Sequence, residues 1–317
     1  MREAAFVKSN VEKWRMIDDQ TKDDHILADT LADNFIELTD DLSYARTFYP
    51  RSQTVKYLNR IAGRYFIDIS RYRKYDKGWF VRFWKDELPS IMYKYRKCMF
   101  YSAVFFIGSI LIGVFSQSRD SEFARLILGP AYVDMTLNNI EKGDPMAVYK
   151  YYDKEGMFFG ISFNNIKVAF YCFIFGLVFS VGTIYFLFVN GVMLGTFQYF
   201  FYQEGLLLTS ASTIWLHGTL EISSIVICGG AGIALGNSFL FPGSLKRLVS
   251  LQKTISEVLK IVIGLVPVFI VAAFIESYIT RLTAMSLSVK ILIIGVSAVF
   301  IIWYFFYYPV KKLRVKN

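Results

Sequence analysis

The sequence predicts an all-α, polytopic membrane protein with about six transmembrane helices. Hydrophobic residues make up 54% of the 317-residue chain and charged residues only 19%, and the mean hydropathy is +0.38. The apolar residues fall in several long uncharged runs, each near the ~20 residues that a helix needs to cross a bilayer. Basic residues cluster beside these runs, where they orient spans and meet anionic head groups. The excess of 35 lysines and arginines over 26 acids therefore indicates a membrane surface and not nucleic acid.

Residues 1–97 are predicted to form a cytoplasmic or interfacial helical module, which precedes a transmembrane domain at residues 98–317. Apolar side chains recur at helical spacing over residues 6–17 and again over residues 26–38. Pro50 closes the turn before a third amphipathic helix, which carries Val55, Leu58, Ile61, Ala62 and Tyr65. Amphipathic helices of this kind bury their apolar faces against one another, so the module is a small bundle.

A basic and aromatic segment, residues 71–97, joins this module to the first span. One interpretation is an interfacial helix whose tryptophans lie at the head-group level of an anionic membrane. The other is a cytoplasmic anchor that orients the first span through the positive-inside bias alone. In both cases the residues expected at the bilayer surface are Trp79, Arg82, Trp84 and Lys85.

Five apolar runs are long enough to span a membrane, at residues 98–115, 168–189, 211–236, 258–280 and 288–308. Five crossings would put the basic segment and the basic carboxyl-terminal tail on opposite sides, against the positive-inside rule. A short sixth crossing at residues 191–208 removes the conflict, although its polar side chains must then face protein or water. A re-entrant hairpin there is the alternative. With six spans, both termini are cytoplasmic.

Six spans place residues 116–167 outside. Over residues 116–166 there are five bases and seven acids, in contrast to the basic flanks. The segment is too long for a simple connection, so we expect short amphipathic helices at residues 123–128 and 147–159. It could cap the bundle or meet an extracytoplasmic partner.

The polar centre of the bundle is predicted on the fourth span, where His217 and Glu221 stand four residues apart and share a helix face. Ionisable groups are costly in hydrocarbon, so they usually face a bundle interior or a wet cavity. Glu276 lies late in another span, where it could reach a similar depth. The full set of candidate residues is His217, Glu221, Glu276, Asn190, Asn164, Asn165 and Glu204.

Three interpretations of this polar set stay open. It could be a satisfied network that fixes helix packing, a proton or ion path, or a metal site with imidazole and carboxylate ligands. The only other histidine is the distant His25, and no HExxH spacing occurs, which argues against metal-assisted hydrolysis. We therefore predict no catalytic residue, no bound metal and no cofactor.

Glycines recur in the spans at spacings that let helices approach closely. The candidate packing residues are Gly191, Gly195, Gly218, Gly229, Gly232 and Gly236. The run at residues 229–236 follows no predicted strand and lacks the lysine and Ser/Thr of a phosphate-binding loop. The helix faces that carry these glycines could pack against each other within one subunit or across a homodimer.

An ordered series of motifs runs along the chain: DDLSYAR at 40–46, YLN at 57–59, FNNIKVA at 163–169, NGVMLG at 190–195, HGTLE at 217–221, GGAGIALG at 229–236, FPG at 241–243 and AAFIE at 272–276. Together they resemble the stage II sporulation protein M family. The resemblance implies a polytopic membrane protein that anchors partner proteins for envelope remodelling and has no known hydrolase activity of its own.

We therefore expect a non-enzymatic scaffold or anchor of a cell-envelope complex in the cytoplasmic membrane. Its expected contacts are the lipid bilayer and unidentified envelope or membrane proteins. A transporter or channel built on His217, Glu221 and Glu276 is the first alternative. An intramembrane metalloenzyme is the second.

Overall fold

The computed structural model describes residues 2–20, 28–72, 78–150, 153–282 and 285–314. His25, the end of the apolar pattern at residues 26–27 and residues 73–77 of the basic segment lie outside these ranges. Every regular element within them is a helix, with no β-strand, so the predicted all-α class is confirmed. The chain divides into two compact units, Met1–Val81 and Arg82–Asn317.

The first unit contains three amphipathic helices, α1 (Glu3–Gln20), α2 (Ala28–Phe48) and α3 (Gln53–Tyr72). Their apolar faces share one core, in which Trp14 and Tyr65 are fully buried. The polar atoms of these two large side chains are paired. Trp14 Nε1 donates to Asp41 Oδ2 at 2.7 Å, and the Tyr65 hydroxyl donates to the Ile17 carbonyl at 2.8 Å.

After α3 the α-helices are, in chain order, α4 (Trp79–Arg82), α5 (Leu88–Lys94), α6 (Arg96–Arg119), α7 (Phe123–Leu128), α8 (Pro130–Glu141), α9 (Lys154–Ile174), α10 (Val181–Gln203), α11 (Leu207–Leu240), α12 (Arg247–Phe274), α13 (Leu287–Ile301) and α14 (Tyr308–Arg314). A π-helical turn, Ile275–Thr280, continues α12. By length and composition, six helices of the second unit could cross a membrane: α6, α9, α10, α11, α12 and α13, with their extensions. This agrees with the predicted number of spans.

The second and third spans have other bounds than the hydropathy pattern predicts. The predicted span at residues 168–189 straddles the turn between α9 and α10. Because α10 runs from Val181 to Gln203 and is 23 residues long, it is a candidate span of full length instead of the short segment predicted at residues 191–208. Similarly, residues 154–167, expected outside the membrane, form the first part of α9.

The turn between α9 and α10 is concealed within a continuous apolar run. Phe179 and Ser180 adopt positive φ angles of 51° and 66°, a conformation for which glycine is the usual sequence signal. Side-chain hydrogen bonds hold the turn, since the Thr183 hydroxyl donates to the Cys172 carbonyl at 2.7 Å. The two positive-φ positions are thus a phenylalanine and a serine, while the glycines of this segment, Gly176 and Gly182, flank them.

Residues 120–150, which we call the cap, pack against one end of α10. The cap contains α7 at its predicted position and α8, whereas the helix predicted at 147–159 is a short 3-10 turn, Ala147–Lys150, followed by the start of α9. A small core joins the two parts, formed by Ala124, Val133, Met146, Phe200 and Phe201. The cap is thus an ordered structure fixed to the transmembrane bundle.

The segment that follows Val81 belongs to the second unit because it packs on the spans. The Trp84 carbonyl accepts a hydrogen bond from the Tyr304 hydroxyl at 2.7 Å. Lys94 forms an ion pair with Glu257, to which the Tyr95 hydroxyl also donates at 2.6 Å. The compact unit therefore begins upstream of the domain boundary expected at residue 98.

Helix α11 is the central helix of the second unit and packs against α6, α9, α10, α12 and α13. Glycines allow the close approach of these helices: between α11 and α6 a Cβ added at Gly229 would lie 2.6 Å from Ser102 Oγ, and between α10 and α6 one at Gly191 would lie 2.6 Å from Ser109 Cβ. Three more of the predicted packing glycines are equally confined by neighbouring atoms, Gly195, Gly232 and Gly236. At Gly218 the nearest atom, 3.4 Å away, is an ordinary contact.

Candidate functional site

His217 lies on α11 and is only 5% exposed. Its Nδ1 lies 3.2 Å from Thr280 Oγ1, and the Thr280 hydroxyl lies 3.2 Å from the Ile275 carbonyl, to which it donates. A hydroxyl that donates its only proton to a carbonyl must accept a hydrogen bond from the imidazole. This arrangement assigns the proton to Nδ1 and leaves the lone pair on Nε2.

Glu276 is brought to His217 by the π-helical turn Ile275–Thr280, which presents Glu276 and Thr280 to the same imidazole. Glu276 Oε1 lies 3.8 Å from His217 Nε2. That distance is too long for a direct hydrogen bond. Single π-helical turns that extend or interrupt α-helices occur frequently at functional sites.

Glu221 completes the set from the next turn of α11. One imidazole or carboxylate atom from each of His217, Glu221 and Glu276 lies within 4.8 Å of the other two. Of the His, Cys, Asp and Glu groups in the described ranges, this is the set whose geometry could hold a metal ion. We call these three residues the His–Glu–Glu set.

Two asparagines of the predicted polar centre lie close to this set. Asn165 on α9 interacts with the Glu221 side chain, yet its amide nitrogen is buried without a hydrogen-bond partner in the structure. Asn190 on α10 donates to the carbonyl of Phe186 at 2.8 Å and lines a cavity beside His217 and Glu221. Asn165 thus faces Glu221 without a close hydrogen bond, whereas Asn190 is tied to its own helix.

Tyr149 of the cap covers the set, with its ring centroid 6.0 Å from that of His217 in an edge-on arrangement. The pKa of the Tyr149 hydroxyl is raised well above its usual value, first by burial and then by Glu276, Tyr132 and Glu221. This hydroxyl therefore stays protonated across the physiological range and can donate a hydrogen bond. The cap closes the polar centre at this end of the bundle.

A cavity of about 370 Å³ adjoins the set. It reaches from His217 and Glu221 to Asn190 on α10 and to Tyr132 in the cap, between walls that are mostly apolar. Several water molecules fit in this volume beside polar partners. One side of the polar centre therefore faces a cavity that can hold water, and the other sides are covered by packed side chains.

Two predicted members of the polar centre lie elsewhere. Asn164 is exposed on α9, on a different face from Asn165, and Glu204 is exposed just after the last residue of α10. Of the residues expected at the bilayer surface, Trp79 is 60% exposed and Arg82 pairs with Glu87. The other two are Trp84 and Lys85, whose backbone carbonyls accept hydrogen bonds from the hydroxyls of Tyr304 and Tyr308.

Three residues that were not predicted from the sequence complete the surroundings of His217. Thr280 and Tyr149 contact His217 from the π-helical turn and the cap. Lys290 is buried on α13 and donates to the Thr213 hydroxyl at 3.2 Å, one turn of α11 before His217. A lysine inside an apolar run was a signal that could have identified Lys290.

Chemically, the set can bind a cation or a proton between its facing lone pairs. An imidazole nitrogen and two carboxylate oxygens are acceptable ligands for Zn²⁺ or Mn²⁺. A shared proton would instead neutralise one carboxyl group and join it to its neighbours by hydrogen bonds. Both states reduce the cost of burying two carboxylates side by side.

Fold and site together define a multi-pass helical membrane protein with six candidate spans and a polar set buried beneath a cap. The stage II sporulation protein M family matches residues 102–281, which is more than half of the chain and includes the whole His–Glu–Glu set. The protein therefore belongs to the stage II sporulation protein M family, as its motifs between residues 163 and 276 predicted, while the motifs at 40–46 and 57–59 lie outside this match. A domain of unknown function (DUF8413) matches residues 4–71, the part that forms α1 to α3. Neither a curated protein nor a solved structure matches the chain.

Proposed function

We propose that this protein is a non-enzymatic scaffold that anchors a cell-envelope complex in the cytoplasmic membrane. The observation that carries the proposal is the cap, an ordered polar structure fixed to the ends of membrane helices. Membership of the stage II sporulation protein M family and the six candidate spans support an integral membrane anchor. Its partners are unidentified envelope or membrane proteins, and lipid surrounds the spans.

The distribution of basic residues supports an orientation with both termini in the cytoplasm. Consecutive spans run in opposite directions, so the start of α6, the link between α11 and α12, and the end of α14 lie at one end of the bundle. Basic pairs occur at all three places: Arg96 and Lys97, Lys246 and Arg247, and Lys311 and Lys312. Basic clusters beside spans remain cytoplasmic. The cap is then extracytoplasmic.

The cap offers a polar face for a partner. Along α8, Val133, Thr136 and Asn139 point into the structure, while the residues exposed at helical spacing are Ala131, Asp134, Asn138 and Glu141. Asp134 is held by an ion pair with Arg125, at 2.6 Å. A helix fixed on one face and open on the other is pre-organised, which lowers the entropy cost of binding.

The helical unit of residues 1–81 provides the second proposed contact surface. It has its own core and is compact by itself. Large apolar side chains remain exposed on it, including Ile36 at 57% and Phe66 at 62%. Exposed apolar groups of this kind are common at protein contacts when they form patches. A scaffold with surfaces on both sides of the membrane could link envelope and cytoplasmic partners.

Photo-crosslinking tests the scaffold proposal. A photoreactive amino acid at Asn138 or Glu141, both exposed on α8, is expected to give a covalent adduct with the same partner protein in native membranes. A matched position on α13 is Ile291, which is 59% exposed on a candidate span and should react with lipid. Repeated recovery of this protein alone from both cap positions would contradict the proposal.

The transporter and metalloenzyme alternatives are not favoured by the family match. A homodimer through the glycine faces is compatible with the scaffold role, although the closest glycine contacts described above are made within one chain. Crosslinks between two copies of α8, without another protein, would identify a homo-oligomer that meets through the cap and would argue against a separate partner at this surface.

A further inference from the structure

We propose that His217, Glu221 and Glu276 bind one divalent transition-metal ion of the Zn²⁺ or Mn²⁺ class. The ion would lie between α11 and the π-helical turn that continues α12, beneath Tyr149 of the cap. Its role would be structural, because it joins two helices at the end of the bundle that carries the cap. The site does not depend on the scaffold role, since it follows from the geometry of the set.

The spacing of the three side chains suits a small divalent ion. Ligand atoms that share one such ion at ~2.1 Å lie about 3 to 4 Å apart, and the atoms here lie within 4.8 Å of one another. Side-chain rotation of the two glutamates can close this difference. Glu276 has room for it, because its side chain is 15% exposed.

His217 is already oriented as a metal ligand. Thr280 accepts the Nδ1 proton, so the free lone pair on Nε2 faces Glu276 at 3.8 Å. Metal-bound histidines usually donate their other ring N–H to a neighbouring oxygen, which fixes both the tautomer and the ring plane. The Thr280 hydroxyl supplies that oxygen and is itself held by the Ile275 carbonyl.

Asn165 adds a buried polar group beside Glu221. It is 6% exposed and faces Glu221, and its amide nitrogen has no hydrogen-bond partner in the structure. A buried amide donor without an acceptor is unfavourable. A carboxylate oxygen turned toward an ion, or a water bound to the ion, would accept this hydrogen bond. The amide then serves as a positioning group behind the ligands.

Charge balance also favours a cation. Two ionised carboxylates this close are strongly unfavourable in a low-dielectric interior unless positive charge lies beside them. Among the described residues, the ion-pair partner of Glu276 is His217, and neither glutamate pairs with lysine or arginine. The nearby Lys290 is bound instead to Thr213. A divalent ion with a neutral imidazole and two carboxylates has no net charge.

The adjoining cavity completes the site. It contacts His217 and Glu221 and can supply water as a further ligand, because three protein ligands leave a coordination position open. The cavity also gives an ion a route to the set without unfolding the helices. Burial under Tyr149 limits exchange with bulk water.

Metal analysis of the full-length protein tests the proposal. The protein is purified in detergent through a tag without histidines, incubated with Zn²⁺ or Mn²⁺ and then freed of loose ions. We expect about one ion per chain, and a fall of at least about tenfold in the variants Glu276→Gln and Glu221→Gln. Glu204→Gln is the matched control, because Glu204 is an exposed glutamate just after α10, and it should keep the ion.

Size-exclusion chromatography and Co²⁺ absorption distinguish loss of the site from misfolding of a variant. Elution as a single species in size-exclusion chromatography checks each variant, and His217→Asn gives a third ligand change of similar volume. Co²⁺ loading should produce visible absorption bands in the wild type and in Glu204→Gln, and these bands should be lost in Glu276→Gln. Wild-type protein that binds less than about a tenth of an ion per chain overturns the proposal. Equal metal retention in all variants means an adventitious ion only and overturns it as well.

Discussion

The imidazole of His217 and the hydroxyl of Thr280 lie 3.2 Å apart and connect α11 to the π-helical turn after α12. The same hydroxyl donates to the Ile275 carbonyl, so one small side chain serves both a buried ring nitrogen and the backbone. Thr280→Val keeps the volume and removes both hydrogen bonds. We expect the free energy of unfolding to fall by about 1–3 kcal/mol, because a buried donor loses its acceptor.

Thermal unfolding in detergent or nanodiscs measures this effect. Thr280→Ser is the control, since it retains the hydroxyl and should lie much closer to wild type. At a bound metal ion, loss of the hydroxyl should also weaken binding by roughly 10–100-fold, as is usual for groups that orient a ligand. Equal stability of the valine and serine variants would show that the hydroxyl does not lock His217.

Close packing at the glycines gives a second prediction. A Cβ at Gly195 on α10 would overlap the backbone carbonyl of Ile110 on α6, whereas a Cβ at Gly108 on α6 meets no atom within 4 Å. Gly195→Ala should therefore destabilise the bundle by about 1–3 kcal/mol through forced helix separation. Gly108→Ala should be neutral or stabilising by up to about 1 kcal/mol. Comparing the two midpoints of thermal unfolding decides the matter, and equal midpoints would contradict the packing role of Gly195.

Helix number and class were predictable from sequence because they depend on the length of apolar runs. The bounds of the second and third spans were not, since a single serine, Ser180, is the one polar residue at 178–180 and a run of apolar residues continues on both sides. There the reversal depends on positive φ at Phe179 and Ser180 and on the hydrogen bond from Thr183 to Cys172. A hydropathy profile contains no information on backbone φ angles or on individual hydrogen bonds.

The candidate site, too, was predictable from the sequence only in part. The four-residue spacing of His217 and Glu221 is enough to place both on one helix face. The approach of Glu276 depends on a π-helical register, and the contact of Tyr149 depends on how the cap folds. Neither has a local pattern in the sequence. Asn164 and Asn165 show the converse, because two adjacent, identical residues on one helix face different surroundings.

Membrane orientation is testable with two cysteines. Asn138→Cys on α8 and Lys311→Cys on α14 are both exposed positions. With the cap outside and both termini in the cytoplasm, a membrane-impermeant maleimide should label Asn138→Cys in intact cells. Lys311→Cys should react only after the membrane is opened. Wild type is the blank, because Cys172 and Cys228 are buried and Cys98 is half-buried. The reverse labelling pattern would invert the proposed topology.

The core of the first unit should weaken at alkaline pH through Tyr65. Burial raises the pKa of this hydroxyl from its usual value of 10.0, against a smaller lowering by the hydrogen bond from Asn34. Because the folded pKa lies above the unfolded one, the contribution of Tyr65 to stability is complete below about pH 10 and is lost as the pH rises through the folded pKa. Ionisation would also remove the proton that Tyr65 donates to the Ile17 carbonyl.

Tyr65→Phe should remove this part of the pH dependence. It should also lower the stability of α1 to α3 by about 1–3 kcal/mol at neutral pH, because the Ile17 carbonyl loses its buried donor. Hydrogen exchange of peptides from α1 to α3 in the full-length protein reports on this unit separately from the spans. Tyr44→Phe is the matched control, since Tyr44 is only partly buried at the edge of the same core. Protection that declines equally above pH 10 in wild type and Tyr65→Phe would assign the alkaline transition to another group.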